Sequence, residues 1–317
     1  MNYKRNKCGN GKIDNLGAQL EKVLKGAHQG AIETRYRYAE AFERFITHVG
    51  NKFGLQRLQN VQDKHLASYA KSLMEKGSSD KYVKTELSAI RYIHAQTPQA
   101  KFELTDSKVF NKDIGLGRTP DGRCDRAWTE KEIEAAKAYF DKLGRNDISR
   151  AIDLARSTGT RLDEACTLRS NEVEKALKND VLHLTNTKGG RPRDIPLTPQ
   201  AKEALKNSLK NSERGGYVIT PQSFANGNVH GYKADLENFI YEHRCNFQDA
   251  DRNLTAHNVA ADERAALTFH GLRHLFAREE FERKIEEGLS RYEALREVAQ
   301  ELGHNRAEVT LIYTGGK

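Results

Sequence analysis

Cysteine is scarce and scattered. Cys8, Cys124, Cys166 and Cys245 are all the sequence has in 317 residues, and no two form a CxxC pair. That excludes an ordinary zinc module and a disulfide framework, and free thiols suit a reducing compartment. No HExxH is present, so the common helical zinc site is absent, and no GxxxxGK[ST] loop is there to cradle a nucleotide. The N-terminus, MNYKRNKCGNGKID, has no apolar run and is not a secretory signal. No apolar stretch approaches the ~20 residues needed to span a bilayer. These absences lead us to expect a cytoplasmic protein with no membrane contact. We find neither internal repeats nor low-complexity segments.

Hydrophobic residues make up 37% of the chain and charged residues 30%, the balance of a globular protein large enough for two cores. The formal net charge is +8. Its distribution is uneven: residues 1–110 hold 19 basic and 11 acidic groups, whereas residues 111–317 hold 33 of each. An excess confined to one third is a hint of nucleic-acid binding, although solubility alone would also account for it.

Hydrophobic spacing predicts a mainly α protein with a small β-hairpin. A basic tail (1–14; Lys4, Arg5, Lys7, Lys12), expected to be flexible, precedes a helical unit over 15–110. There, Tyr38, Phe42, Phe45, Ile46 and Val49 share one helical face, with Gly50 read as the stop. Leu66, Tyr69, Ala70 and Leu73 form a second face stopped by Gly77. Val83, Leu87, Ile90 and Ile93 form a third, after a Ser78-Ser79-Asp80 cap. A further helix is expected over 15–28. Lys81, Lys84 and Arg91 are expected on outward faces. Residues 111–127 lose the periodicity and read as a linker. The second unit, 128–317, opens with a capping box at Thr129 and Glu132. Val181-Leu182-His183-Leu184 and Ile195-Pro196-Leu197 flank a Gly-Gly turn and read as a hairpin.

Several groups in the second unit could carry chemistry. Arg161 sits at a helix start with Glu164 three residues on, an arrangement that aims a guanidinium at a phosphate or merely makes a surface ion pair. Lys188 lies at the hairpin tip, with Arg191 and Arg193 behind it; such a tip can reach a phosphate or simply be a solvated turn. His270 and Arg273 are spaced so that one helix presents both to one anion, while His274 points elsewhere and reads as packing. His304 follows Leu302-Gly303. Tyr313, nine residues later, is by itself an ordinary packing residue.

Together, in this order, the contexts TGTRLDE, TKGGRPRDIPL, HGLRH and LGH with its following tyrosine resemble the tyrosine recombinases, the phage-integrase-like enzymes. The match covers 128–317, and the helical first third is similar to that family's core-binding domain. The resemblance implies a site-specific recombinase or integrase that cleaves and rejoins double-stranded DNA through a 3′-phosphotyrosyl intermediate, without metal, ATP or other cofactor. Tyr313 would be the nucleophile, Arg161 and Arg273 the phosphate ligands, Lys188 the proton donor to the leaving 5′-oxygen, and His270 and His304 hydrogen-bond or proton-transfer groups. Glu164 would orient its neighbours. Lys81, Lys84, Arg91, Arg191 and Arg193 are further candidates for DNA contact. The partners implied are specific recombination sites, a homotetramer on synapsed DNA and accessory DNA-bending or directionality factors, in a nucleoid-associated setting that serves a mobile element.

Three departures stand out. An acidic helical segment, from about Glu279 to Glu301, lengthens the interval between Arg273 and Leu302 and is a candidate for contact with a partner subunit. Four residues follow Tyr313, fewer than a tail that docks on a neighbour. Residues 1–14 are too few for a separate arm-binding domain. Two other functions remain open from sequence: a type IB topoisomerase-like relaxing enzyme and a DNA-binding regulator without catalysis.

Overall fold

A computed structural model describes residues 3–5, 7–26, 32–117, 124–187, 190–210, 212–225, 228–253, 263–304, 310–311 and 313. The chain divides into two compact units, Met1–Pro120 and Asp121–Lys317.

The first unit is built from α1 (Gly11–Gly26), α2 (Ile32–Phe53), α3 (Asp63–Glu75), α4 (Asp80–Ala95) and the short α5 (Ser107–Asp113). Leu16, Leu20, Phe42, Phe45, Ile46, Leu66, Leu87, Ile90 and Ile93 form its core. Each such side chain contributes about 1.5–3 kcal/mol when fully buried. Ser79 caps α4 by accepting from the Tyr82 N–H. Gly77, at a φ of +78°, turns the chain after α3.

Four expectations need correction. Gly50 does not stop α2, which continues to Phe53. A Cβ at Gly50 would lie 2.8 Å from Ile13 Cγ1, so the glycine is there to let α1 approach. Nor are Tyr3 and Arg5, among the described tail residues, loose: Arg5 pairs with Asp14 and Glu43, and Tyr3 donates to Glu43 at 2.7 Å. Arg91 is turned inward, over the Phe110 ring and onto the Thr105 carbonyl, and burial lowers its pKa. The first residues of the expected linker belong to α5.

The second unit contains α6 (Glu130–Lys142), α7 (Asn146–Thr158), α8 (Leu162–Thr167), α9 (Ser170–Asn179), β1 (Val181–Leu184), β2 (Arg193–Pro196), α10 (Pro199–Leu209), α11 (Gln222–Ala225), α12 (Val229–His243), α13 (Phe269–Glu286) and α14 (Arg291–Glu301). The strands are antiparallel, with Val181 opposite Pro196 and Leu184 opposite Arg193. Thr129 and Glu132 form the expected reciprocal cap of α6. The core joins Trp128, Phe140, Ile152, Tyr232, Leu236, Leu272, Phe276, Val298 and Leu302.

The start of α13 is clamped. Trp128 Nε1 donates to the Thr268 carbonyl at 2.9 Å, and a Cβ at Gly271 would strike Trp128 and the Arg126 backbone. The lengthened interval is a pair of helices, α13 and α14. They are joined through Lys284, which pairs with Glu297 and Glu301 at 2.9 Å each. Among the described residues, no helix is long and apolar enough to cross a membrane.

Candidate active site

Two helix ends and one strand build the site. α7 ends at Gly159, whose φ of +60° lies in the left-handed region where glycine is at ease. That turn delivers Arg161 to the N-cap of α8. The Arg161 backbone N–H donates to Glu164 Oε2 at 2.7 Å, and its Nη1 donates to Oε1 at 3.0 Å. From β2, Arg193 donates Nη1 to Oε1 at 2.7 Å and Nη2 to Oε2 at 2.5 Å. Burial alone would push the Glu164 carboxyl up; the Arg193 fork, the Arg161 N–H and the Arg161 charge overcome it and hold the pKa at about 2.

Arg273, on α13, is 1% exposed. It donates Nη1 to the Gly159 carbonyl at 2.5 Å and Nη2 to the Leu302 carbonyl. Arg161 Nη2 reaches the same Leu302 oxygen at 3.4 Å. Both oxygens lie at helix C-termini, where unpaired carbonyls carry partial negative charge. The two guanidiniums are thus gathered by carbonyl dipoles, and no carboxylate is bonded to Arg273 among the described residues. Burial, then the nearby Arg161 charge, lowers the Arg273 pKa to about 9. A cation held under such tension is poised to receive an anion.

Tyr313 stands beside this pair. Its Oη lies 3.3 Å from His270 Nε2, and the Arg273 guanidinium is 5.8 Å from its ring centroid. His304 borders the same ring, with centroids 4.8 Å apart, and its Nε2 is 3.4 Å from Arg273 Nη2. Burial, then the charge of Arg273, pushes the His304 pKa down to about 3. Leu311 and Tyr313 pack against the core.

The structure therefore brings together Arg161, Glu164, His270, Arg273, His304 and Tyr313. Lys188 lies outside the described residues. Arg191 and Lys81 are exposed, while Lys84 donates to the Gly117 carbonyl at 2.5 Å. Arg193 corrects the sequence reading of a surface DNA contact: it is 7% exposed because Glu164 holds it inside. Strand alternation already carried that signal, since Arg193 shares its parity with the buried Ile195 and Leu197. From sequence His274 reads only as packing. Its ring stacks on that of Tyr313, 4.4 Å between centroids and 24° between planes. The clue was its i, i+4 spacing from His270.

The phage integrase family model matches residues 127–316. Over 286 residues the chain is 24% identical to tyrosine recombinase XerC of Bacillus pumilus (strain SAFR-032), covering 87% of this chain and 84% of that one. XerC of Bacillus subtilis (strain 168) is 24% identical over 295 residues, with 89% and 85% covered. Among solved structures, the chain is similar in fold to a lambda integrase tetramer bound to a Holliday junction (TM-score 0.66, 16% identity, 95% and 78% covered). It is also similar to the Tn1549 transposon integrase in complex with circular intermediate DNA (TM-score 0.59, 17% identity, 94% of each chain). With most of its second unit matched and a tyrosine set among histidines and paired arginines, the chain belongs to the phage integrase family and is a tyrosine recombinase.

Proposed function

We propose that this recombinase cleaves and rejoins double-stranded DNA at specific sites, with Tyr313 as the nucleophile, and that it serves a mobile element. The observation that carries the reading is the Tyr313 hydroxyl, 3.3 Å from His270 Nε2 and beside the guanidinium of Arg273. In the proposed reaction Tyr313 Oη bonds to the scissile phosphorus as its proton passes to His270. The bond to the 5′-oxygen breaks, and that oxygen takes a proton from Lys188, leaving a 3′-phosphotyrosyl link. Arg161 and Arg273 hydrogen-bond the non-bridging oxygens, where negative charge accumulates, and supply the positive charge that a metal would otherwise provide. Attack by a 5′-hydroxyl of a partner strand reverses the step, so the bond energy is conserved and neither ATP nor metal is consumed.

A homotetramer on synapsed DNA, assisted by DNA-bending or directionality factors at the nucleoid, completes the proposal. The fold likeness to an integrase tetramer on a Holliday junction supports the tetramer. The test is a nicked suicide duplex carrying a site selected from random sequence. An SDS-resistant covalent adduct should form in EDTA without ATP and vanish in Tyr313→Phe. An adduct formed by that variant would refute the role of Tyr313, and abolition by EDTA would refute metal independence. Relaxation of plasmids lacking any target site would instead indicate a topoisomerase.

A further inference from the structure

We propose that His274 is a positioning residue for Tyr313: its ring forms a flat platform that sets the plane of the tyrosine and so the plane in which the phenolic O–H bond and the attacking lone pair lie. This rests on Tyr313 being the nucleophile.

His270 and His274 are one helical turn apart on α13 and both face the tyrosine, yet they meet it differently. His270 approaches at 68° between ring planes and offers a nitrogen to the hydroxyl. His274 lies nearly parallel, at 24° and 4.4 Å, and offers its face to the ring. The outer torsion of a tyrosine has a broad energy well, so the backbone alone leaves the ring plane loosely set. A hydrogen bond at the oxygen fixes one end of the ring and leaves rotation about its long axis free. A packed parallel ring removes that rotation.

His274 is itself immobile enough to act as a reference. It is 4% exposed on the helix whose start is clamped by Trp128. Its surroundings also favour an uncharged ring. Burial, then the charges of His270, Arg126, Arg273 and Arg278, pushes its pKa down to about 3. His274 therefore does not compete with His270 for the phenolic proton. The two histidines divide the work: one handles the proton, the other the geometry.

The test compares full-length wild type, Tyr313→Phe, His274→Phe and His274→Leu on the nicked duplex, with single-turnover cleavage, DNA affinity and unfolding midpoint measured for each. Phe keeps a flat ring, whereas Leu fills space without one. Because a near-attack geometry needs aligned orbitals as well as close atoms, and a ring free to turn is aligned only part of the time, His274→Leu should cleave at least ~10-fold slower with unchanged DNA affinity, and His274→Phe should restore the rate to within about threefold of wild type. Should the Leu variant unfold, His274→Asn is read in its place. A ring-free variant cleaving at the wild-type rate, or a Phe variant as slow as the ring-free one, overturns the inference and leaves Tyr313 as nucleophile intact. Absence of any adduct in wild type overturns the nucleophile assignment and this inference with it.

Discussion

Arg193 and Glu164 form a two-pronged ion pair inside the second unit, Nη1 to Oε1 at 2.7 Å and Nη2 to Oε2 at 2.5 Å, with side chains 4% and 1% exposed. The pair ties β2 to the start of α8. It also sets how much of one carboxylate each arginine receives. Glu164 serves Arg161 as well, so one negative charge is shared between two positive ones. Arg161 is held in place yet keeps a positive surplus, which the proposed reaction would direct to a phosphate. Without Arg193, the carboxylate would belong to Arg161 alone.

Replacing Arg193 by Met should therefore destabilise the protein. Removing one partner of a buried pair leaves an incompletely compensated charge and costs about 3–5 kcal/mol. The double variant Arg193→Met, Glu164→Gln should recover part of that loss, because it removes the stranded charge. Chemical denaturation of both variants checks this; an Arg193→Met protein as stable as wild type would mean that the pair holds nothing together.

The same carboxylate makes stability depend on acid. Glu164 is held at about 2, against a usual value of 4.5. With the folded pKa depressed, its stabilisation is complete above the unfolded value and drains away as pH falls through the window from 4.5 to about 2. A shift of that size corresponds to roughly 3 kcal/mol at full ionisation. Wild type should lose stability across this window more steeply than Glu164→Gln, as measured by urea midpoints at successive pH values. Parallel curves would remove Glu164 from the account.

Local features of the fold were legible in the sequence because their causes are local. The Thr129–Glu132 cap, the Ser79 cap and the hairpin follow from residues three to fifteen positions apart. So does the shared face of His270 and Arg273. What escaped depends on distant partners. Gly50 looks like a helix stop until Ile13, on another helix, is packed against it. Arg5 reads as part of a loose tail until Glu43 is brought near. Arg193 reads as a surface cation because its counter-charge is 29 residues away. His274 reads as packing until Tyr313, far along the chain, is stacked on it.

Arg273 should not tolerate lysine. Its two terminal nitrogens reach carbonyls on separate helices, Gly159 and Leu302. A lysine offers one point charge where a planar fork is needed. Arg273→Lys should slow cleavage by two or more powers of ten, about 2.7 kcal/mol or more of barrier, while DNA affinity falls by less than about tenfold. Single-turnover cleavage beside equilibrium binding separates these effects. A wild-type cleavage rate in Arg273→Lys would exclude the fork as the catalytic feature.

Gly159 joins backbone conformation to the site, and alanine there should fail for two reasons that a control can separate. Its φ of +60° costs any side chain about 1–2 kcal/mol. Gly144, at +73°, carries the same strain, but a Cβ there meets nothing within 4 Å. At Gly159 a Cβ would enter the Phe276 ring, 2.7 Å from Cε1, and Phe276 is only 3% exposed and has little room to yield. Overpacking adds about 1–3 kcal/mol to the strain. Gly159→Ala should therefore be less stable than Gly144→Ala by that increment. Because the Gly159 carbonyl also holds Arg273 Nη1, it should lose cleavage at temperatures where both variants remain folded. Equal unfolding midpoints for the two variants would show that the Phe276 contact yields freely. Equal cleavage rates would show that Arg273 does not depend on this turn for its placement.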